Sequence, residues 1–472
     1  MKRLLITVLL VLSSAMTIAQ TSVWDGSRAL WTRGKGTQTS PYLIESASHL
    51  AYLAYMVNKG YETAGMYFRL TTDIDLNGSV NQPWIPIGLG DRLFNDDGCE
   101  RESQSPVPVN YHTTFRGHFD GGSHGISNVY IDYSDSYYCP YVGLFGVVEG
   151  KTDGAVVEPA SIENVFVTSG YIKGSVCGGI VGNGSSSTSV SRCWNGATIE
   201  ATGEGCGGIV GCDAWQVKNA YNIGSISGFC AGGIMGFVQF GDVVIQECYN
   251  EGVVSGACSG GIFGKTFHNS VSINNCYNKG TITNEGWDSY SSETDLACGG
   301  IACFLFQTGN SSVTNCYNVG EVSSSHDSGC ILAYDFKEVY FENNYFIGSC
   351  YAGGKGVALK ENYMRSTEFV DRLNEGNIDL VWAVDVNNIN DGFPVLLNDN
   401  FGAKSKNKPV LIVYPNPSHG KLTVEGTGYM MVTNILGQTV IAKEIKGQQI
   451  ITLPKGMYLI SLRGVTKKVV VE

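Results

Sequence analysis

The 472-residue chain lacks long apolar runs, phosphate-binding loops and metal-ligand patterns, and each absence excludes a class of protein. After residue 20, no apolar run approaches the roughly 18 residues of a membrane-spanning helix, so we expect no transmembrane segment. No glycine-rich stretch has the spacing of a nucleotide cradle, and no Cys–X–X–Cys or Cys/His spacing indicates zinc. The sequence therefore predicts no cofactor, and it contains no recognisable catalytic motif.

Basic residues are scarce in most of the chain. Residues 21–402 contain 40 acidic and 19 basic residues, whereas residues 403–472 contain three acidic and ten basic ones. An acidic body disfavours nucleic acid as a partner, because phosphate contacts need a basic surface. The acidic excess is compatible with bound cations, although solubility is the simpler explanation.

The first twenty residues, MKRLLITVLLVLSSAMTIAQ, combine a basic start, an apolar run and a stretch of small residues. This pattern is typical of an export signal, and the apolar run is too short for a membrane anchor. We assign residues 1–20 to a signal peptide and expect an exported protein.

The C-terminal region alternates short apolar stretches with turn residues, which predicts a small β-sandwich over residues 412–472, after a Lys-rich linker at 403–411. This region resembles the type A C-terminal sorting domain of the Bacteroidetes type IX secretion system. The residues that carry the resemblance are Tyr414, Pro415, Asn416, Pro417, Gly420, Gly437, Gly456, Tyr458, Lys467 and Lys468. The resemblance implies that the type IX secretion machinery is a partner, and that the body is released or attached to the cell surface.

The middle of the chain is repetitive. Versions of NNCYNKGTIT recur with their aromatic residue at Trp194, Tyr221, Tyr249, Tyr277, Tyr317 and Tyr345. A second motif, of the form CGGIVG, recurs with its second glycine at Gly179, Gly208, Gly233, Gly261 and Gly300. Both motifs keep a period near 28 residues, and one longer gap contains a polar insertion at 284–297.

Three short β-prone pieces in each period predict an all-β fold, a right-handed parallel β-helix of about ten coils. Stacked coils place equivalent side chains about 4.8 Å apart. The expected columns are Cys193, Cys248, Cys276 and Cys316; the five motif glycines; and Asn195, Asn222, Asn250, Asn278 and Asn318. We expect the asparagines to form a hydrogen-bonded ladder at a left-handed bend, and the glycine two residues later to need a positive φ.

The GGIVG units resemble the GLUG repeat of bacterial surface proteins. The resemblance implies an N-terminal cap and first coils at 21–135 and a GLUG-type β-helix at 136–350. The period is lost after the last repeat, so we expect a C-terminal cap at 351–402. We expect a helix containing Leu50 and Val57, capped by Ser46 or Ser48, to cover the first coil, because an open solenoid end exposes its core. Phe369, Leu373 and Trp382 are expected to fill the last coil.

Fifteen cysteines in an exported protein suggest disulfides, and the odd count leaves at least one unpaired. Equivalent cysteines in adjacent coils would lie about 4.8 Å apart, beyond the ~3.8 Å between Cβ atoms that a relaxed disulfide needs. Free, buried thiols are therefore the favoured interpretation, with loop pairs such as Cys99 and Cys139 as exceptions. The run CGGIVGC, with Cys206 and Cys212, is a weak metal pattern.

Parallel β-helices also serve polysaccharide lyases and glycosidases, which need paired carboxylates or a base beside calcium. The candidate carboxylates are Asp73, Asp75, Asp120, Asp213 and Asp242. Their turn and strand positions favour structural roles, and no base stands in phase with them. His118 and His124 lie six residues apart in a glycine-rich turn, which is a poor spacing for a metal.

Aromatic residues in turns and in the insertion are better candidates for binding, because exposed rings on a rigid surface can contact sugars or proteins. They are Trp215, Phe229, Phe237, Phe240, Phe267, Trp287 and Tyr290, of which Trp215, Trp287 and Tyr290 form the candidate ligand surface. The sequence thus predicts a secreted or surface-attached, non-catalytic binding protein, adhesin-like, for a host or matrix glycan or protein. A carbohydrate-active enzyme and a purely structural protein are the alternatives.

Overall fold

The computed structural model describes residues 21–90, 113–134, 141–266, 269–284, 296–305, 310–324, 327–335, 339–350, 352, 354–397, 412–414, 418–434, 438–462 and 465–471. Within them the chain forms a parallel β-helix and a separate antiparallel sheet. Five parallel sheets, numbered here in the order in which a coil visits them, run along the solenoid, and seven coils contribute a strand to all five.

The strands of each sheet are as follows. Sheet 1 contains Tyr42–Ile44, Tyr67–Leu70, His118–Asp120, Ala160–Glu163, Thr188–Ser191, Gln216–Lys218, Val243–Gln246, Val271–Asn274, Ser312–Thr314 and Tyr340–Glu342. Sheet 2 contains Ser22–Val23, Ile74–Asp75, Gly125–Ser127, Phe166–Val167, Trp194–Asn195, Tyr221–Asn222, Tyr249–Asn250, Tyr277–Asn278, Tyr317–Asn318, Tyr345–Ile347 and Val357–Leu359. Sheet 3 contains Val129–Asp132, Gly170–Gly174, Thr198–Ala201, Ile226–Ser227, Val254–Ser255, Ile282–Thr283 and Val322–Ser323.

The remaining strands complete the coils and the accessory elements. Sheet 4 contains Tyr141–Val142, Val176–Gly178, Cys206–Gly207, Cys230–Gly232, Cys258–Gly260, Ala297–Gly299 and Asp327–Gly329. Sheet 5 contains Phe145–Val147, Val181–Asn183, Val210–Cys212, Met235–Val238, Phe263–Thr266, Ala302–Leu305 and Leu332–Asp335. Two small antiparallel pairs are Lys151–Asp153 with Val156–Glu158, and Trp382–Ala383 with Val395–Leu396.

Each of these seven coils therefore has five strands, not the three pieces expected from the sequence. The piece typified by INNCYN is divided between sheets 1 and 2 by a residue with left-handed backbone, two positions before the aromatic. These residues have φ between 51° and 54°; they are Asn164, Arg192, Asn219, Glu247, Asn275, Asn315 and Asn343. The sequence predicts the left-handed bend at the asparagine after the aromatic. The structure has it three residues earlier in the chain.

The asparagines after the aromatic do form a buried ladder. Asn222 donates from Nδ2 to Asn250 Oδ1 at 2.8 Å, and Asn250 donates in the same way to Asn278 at 2.9 Å. Each amide also closes its own turn, since Asn250 Nδ2 donates to Gly252 O and Asn250 Oδ1 accepts from Gly252 N. Both donors and the acceptor oxygen are thereby satisfied without water.

Two residues after four of the five ladder asparagines, a glycine is required by close approach, whereas Ala197 stands at that position after Asn195. The expectation of positive φ at these glycines was wrong. A Cβ atom on Gly252 would lie 2.0 Å from the carbonyl oxygen of Gly224 in the preceding coil. The equivalent distances are 2.0 Å at Gly224, 1.9 Å at Gly280 and 2.1 Å at Gly320. Only glycine allows the chains of adjacent coils to approach this closely.

The motif glycines lie against the ladder. A Cβ atom on Gly233 would meet the carbonyl oxygen of Gly261 at 2.1 Å and the Asn250 side chain at 2.5 Å. Gly179, Gly208, Gly261 and Gly300 meet Asn195, Asn222, Asn278 and Asn318 in the same way. The two sequence motifs share one period because each motif glycine contacts the ladder asparagine of the next coil.

The cysteine column faces the core. Cys193, Cys248, Cys276 and Cys316 are at most 1% exposed, and each thiol lies 3.1–3.3 Å from the carbonyl oxygen two residues earlier. Burial raises the pKa of the Cys193 thiol to about 12. Eleven of the described cysteines are free and buried. They act as small apolar side chains.

Cys330 and Cys350 form a disulfide, a pairing that the sequence analysis did not identify. Cys330 stands where the preceding coils have Gly300 and Gly261, and Phe346 stands where they have a ladder asparagine. Gly354 then lies against Gly329, and Gly356 lies against Ile331, at the end of the core.

We predict that Cys350→Ala loosens the last coil. The bridge closes a loop of 20 residues, and such a loop contributes about 3 kcal/mol by restricting the unfolded chain. Hydrogen exchange should show faster exchange at residues 327–347 in the variant, with little change at residues 188–255. Dithiothreitol should reproduce the effect in the unmodified protein; unchanged protection after verified reduction would contradict the prediction.

Helix α1, Ala47–Asn58, covers the N-terminal coils as expected. Ser46 is its N-cap and accepts from His49 N at 3.2 Å. Leu50, Leu53, Ala54 and Val57 are buried in the main core. This cap covers apolar surface that the first coils would otherwise expose.

The C-terminal cap differs from its expectation. Helices α2, Glu361–Met364, and α3, Thr367–Asn374, precede Trp382, and their apolar side chains pack on the outer face of sheet 2. The centroids of the Tyr317 and Trp382 rings are 5.4 Å apart, and those of Tyr345 and Phe369 are 5.2 Å apart. Phe369, Leu373 and Trp382 therefore cover the side of the last coils and do not plug the end. None of the three helices in the described part of the chain is long and apolar enough to cross a membrane.

The C-terminal sheet contains Ile412–Tyr414, Lys421–Asn434, Thr439–Thr452, Gly456–Leu462 and Val465–Val471. All five strands belong to one antiparallel hydrogen-bonded sheet, because the long strand Lys421–Asn434 pairs with three of the others. The apolar side chains of this sheet share a single core. The region is thus a folded β unit. Its strands form one continuous hydrogen-bonded sheet, whereas the expected sandwich has two sheets.

Candidate functional site

The five candidate carboxylates each accept hydrogen bonds from the chain around them. Asp73 accepts from His124 Nδ1 and from Gly125 N, both at 3.0 Å. Asp120 accepts from Gly122 N and from Asn164 Nδ2, both at 2.8 Å. Asp75 accepts from Asn77 N and Asn128 Nδ2, and Asp242 accepts from Ser270 N. These contacts fix turns and adjacent coils, so they support the structural interpretation.

The two candidate histidines have different partners. His118 stacks on Tyr67, with ring centroids 4.3 Å apart, and its Nδ1 lies 2.8 Å from Ser161 Oγ. Burial lowers the pKa of His118 below its ordinary value, although Glu158 opposes the shift. His124 is engaged by Asp73. Among the described residues, no group of three His, Cys, Asp or Glu side chains could hold a metal ion.

Cys206 and Cys212, the weak metal pattern, are separated by the fold. Cys206 lies in sheet 4 and belongs to the main core, whereas Cys212 lies in sheet 5 and belongs to a second apolar cluster with Phe237 and Phe304. Burial raises the pKa of Cys206 to about 12, and it also raises the pKa of Cys212. Both thiols are therefore protonated at neutral pH and serve as apolar side chains.

Asp213, like Asp242, holds a turn of the next coil. Its Oδ1 accepts from Gln239 N at 2.7 Å and from Phe240 N at 3.0 Å, in the next coil. Burial raises the pKa of Asp213, although the two backbone N–H groups oppose this shift. The hydrogen bonds link the turn that carries Trp215 to the turn that carries Phe240.

Trp215 and Phe240 are the exposed aromatic side chains of this region, 51% and 68% accessible. They lie on turns that connect sheet 5 to sheet 1; we call residues 183–187, 212–216, 238–242 and 269–270 the aromatic corner. Phe237, expected in a turn, lies in a strand of sheet 5 and is buried, so that expectation was wrong. Phe229 is half-buried. Phe267, Trp287 and Tyr290 lie outside the described residues.

Sequence reasoning missed the connection between these residues. The sequence favours a structural role for Asp213 but indicates no partner for it, and Gln239 was not a candidate residue. A signal for this contact was available in the sequence. Asp213, Ala214 and Trp215 occupy one turn, and Gln239, Phe240 and Gly241 occupy the equivalent turn of the next coil. Gly241 has φ of 80°, so the second turn has a shape that few other residues allow.

The residues that resemble a sorting signal are placed in the C-terminal sheet where the structure describes them. Tyr414 ends the first strand, Gly420 has φ of 92° in a turn, and Tyr458 is buried and donates from its hydroxyl to Pro454 O at 3.1 Å. Lys467 and Lys468 are exposed on the last strand. Gly456 begins the fourth strand. Pro415, Asn416, Pro417 and Gly437 lie outside the described residues.

Residues 412–472 match the family model described as "Secretion system C-terminal sorting domain". The protein is exported. The sorting domain of the type IX secretion system directs it to the outer surface of the cell or to secretion, and implies interaction with that machinery.

Two curated relatives share parts of the chain. A protein named "Putative Gly-rich membrane protein", from Evansella cellulosilytica, is 29% identical over 154 residues, which cover 32% of this chain and 14% of that protein. Halomucin, from Haloquadratum walsbyi, is 29% identical over 177 residues, covering 35% of this chain and 2% of that protein. The exported chain thus spans only a small part of the length of either relative.

A solved structure described as "a putative immunoglobulin A1 protease from Bacteroides ovatus" aligns with 79% of this chain and 97% of its own. The sequence identity is 20% and the TM-score is 0.45.

Proposed function

We propose that the protein is a non-catalytic, adhesin-like binding protein of a Bacteroidetes bacterium, with GLUG-type repeats, and that the aromatic corner is its ligand surface. The observation that carries the proposal is the exposure of Trp215 and Phe240 on adjacent turns joined through Asp213. The carboxylates that an enzyme would need accept hydrogen bonds within turns, which favours binding over hydrolysis. Trp287 and Tyr290 remain predicted ligand-binding residues of the insertion, which is not part of the aromatic corner.

The test is binding of the purified protein to immobilised host and matrix glycans and proteins. The double variant Trp215→Ala/Phe240→Ala should lose binding, because exposed aromatic anchors contribute a large share of the energy in such contacts. Tyr61→Ala is the matched control, since Tyr61 is 58% exposed and lies next to the N-terminal helix, outside the aromatic corner.

The same samples distinguish the alternatives. New chain ends in soluble polysaccharides would establish a carbohydrate-active enzyme and contradict the proposal. Absence of binding and of cleavage would favour a purely structural protein. Equal loss of binding in the Tyr61→Ala control would show that the aromatic corner is not the site.

A further inference from the structure

The aromatic corner presents two rings on turns of fixed position. Trp215 N donates to Thr188 O at 2.9 Å, and Val244 N donates to Trp215 O at 3.1 Å, so the backbone of Trp215 is held by the coils on both sides. Asp213 holds the Phe240 turn from the same segment. Adjacent coils are separated by about 4.8 Å, so both rings belong to one small surface.

Polar residues lie on the same set of turns as the two rings. Ser186, Gln239 and Asp242 are exposed in the same set of turns. Asn269, in the next turn, is half-exposed and donates from Nδ2 to Gln239 O at 2.8 Å, which orders the rim. Hydroxyl, amide and carboxylate groups offer both donors and acceptors, as required by a ligand with many hydroxyl groups.

The aromatic corner has no cation for an anionic ligand. Residues 183–187, 212–216, 238–242 and 269–270 include no Lys or Arg. The lysines nearest in sequence are engaged: Lys218 lies 3.1 Å from Glu247, and Lys265 is buried with its Nζ 5.3 Å from the Phe304 ring centroid. Sulfated or carboxylated polymers would therefore meet acidic and neutral groups only.

The apolar part of the surface is also small. Two rings within a polar rim offer less contact area than the roughly 800 Å² that each partner buries in a stable protein interface. A pyranose ring has an apolar C–H face and a rim of hydroxyl groups, so it matches an aromatic face beside amides and hydroxyls.

We infer that the ligand of the aromatic corner is a neutral glycan, with sugar rings stacked on Trp215 and Phe240 and their hydroxyl groups bonded to the polar rim. The inference rests on the proposed function and names its ligand class. Asp213 is a positioning residue, because it acts through the backbone of residues 239 and 240.

Affinity electrophoresis of the full chain in gels containing soluble neutral polysaccharides (mannan, galactomannan and mixed-linkage β-glucan) tests the inference, with alginate and heparin as anionic probes. The protein should be retarded by at least one neutral polymer and by neither anionic one. Trp215→Ala and Phe240→Ala should each weaken the retardation about tenfold, whereas Trp215→Phe retains part of it and Tyr61→Ala all of it. Circular dichroism confirms that each variant is folded.

Asp213→Ala provides a second measurement. It should weaken retardation by the same neutral polymer with the Trp215 and Phe240 side chains intact, and faster hydrogen exchange at residues 239 and 240 should accompany the loss. Unchanged affinity despite faster exchange there would overturn the positioning role.

The outcomes separate the inference from the proposed function. Retardation by anionic polymers alone would overturn the glycan inference and leave the binding function standing. The same conclusion would follow if the chain bound a protein through Trp215 but bound none of the neutral glycans. Neutral-polymer binding that is insensitive to both aromatic substitutions would also overturn it. Binding to no glycan and no protein would remove both.

Discussion

Replacing Gly261 by alanine should strongly destabilise the middle of the solenoid. The added Cβ would lie 2.1 Å from the carbonyl oxygen of Gly300 and 2.5 Å from Cγ of Asn278. Both neighbours are fixed, the first by the backbone of the next coil and the second by the asparagine ladder. Because neither can move without separating two coils, we expect a loss of stability on the order of 4 kcal/mol or more.

Guanidinium unfolding, followed by far-ultraviolet circular dichroism, measures this loss. Gly125→Ala is the matched control, because Gly125 also lies in the solenoid but its Cβ would meet only the Thr168 methyl group, at 3.0 Å. The control should change stability by less than about 1 kcal/mol. Equal midpoints for the two variants would show that adjacent coils separate easily, contrary to the close packing described above.

The sequence was sufficient to predict the solenoid and its columns because stacking repeats the same side chain at every coil. Recurrent Asn250 and Gly233 equivalents record a contact that each coil makes with the next. A contact made in every repeat appears in the sequence as a period, so asparagine, glycine and cysteine columns could be found without the structure.

The features that sequence reasoning missed occur once or depend on geometry within a coil. Cys330 breaks the glycine column at the last coil, and its partner Cys350 follows no period. Trp382 was expected at the end of the core, but it packs on Tyr317, because the outer faces of the tyrosines offer an apolar column along the side of the solenoid. Apolar composition alone does not distinguish these two positions.

The candidate ligand surface was only partly predictable for the same reason. Trp215 was identifiable as a turn aromatic, but its relation to Phe240 depends on two hydrogen bonds to Asp213 that join different coils. A carboxylate in a turn is compatible with catalysis, metal binding or a turn contact, and the partners that decide between them lie in another repeat.

Replacing Asn250 by aspartate should destabilise the protein in a way that depends on pH. Asn250 is fully buried; it accepts from Asn222 Nδ2 and donates to Asn278 Oδ1. Aspartate would lose the amide donors and place a carboxylate near oxygen atoms that now accept hydrogen bonds. Burial disfavours the charged form, so the pKa of the new carboxyl should be raised in the folded protein.

The raised pKa determines the direction of the pH dependence. An unfolded aspartate has a pKa near 3.9, so below about pH 4 both states are protonated and only the lost donors weaken the fold. As the pH rises, the unfolded state ionises first, and the variant should lose up to about 1.4 kcal/mol per pH unit relative to Asn250→Ala until the folded carboxyl ionises.

Asn250→Ala should cost about 2–4 kcal/mol at every pH, because it leaves ladder partners unsatisfied. Asn81→Asp, at an exposed turn position, is the control and should show neither effect. Urea midpoints at pH 4.5 and 7.5 measure the difference; if Asn250→Asp and Asn250→Ala differ equally at both values, the ladder must admit water, and the inference of a dry amide column along the solenoid would be wrong.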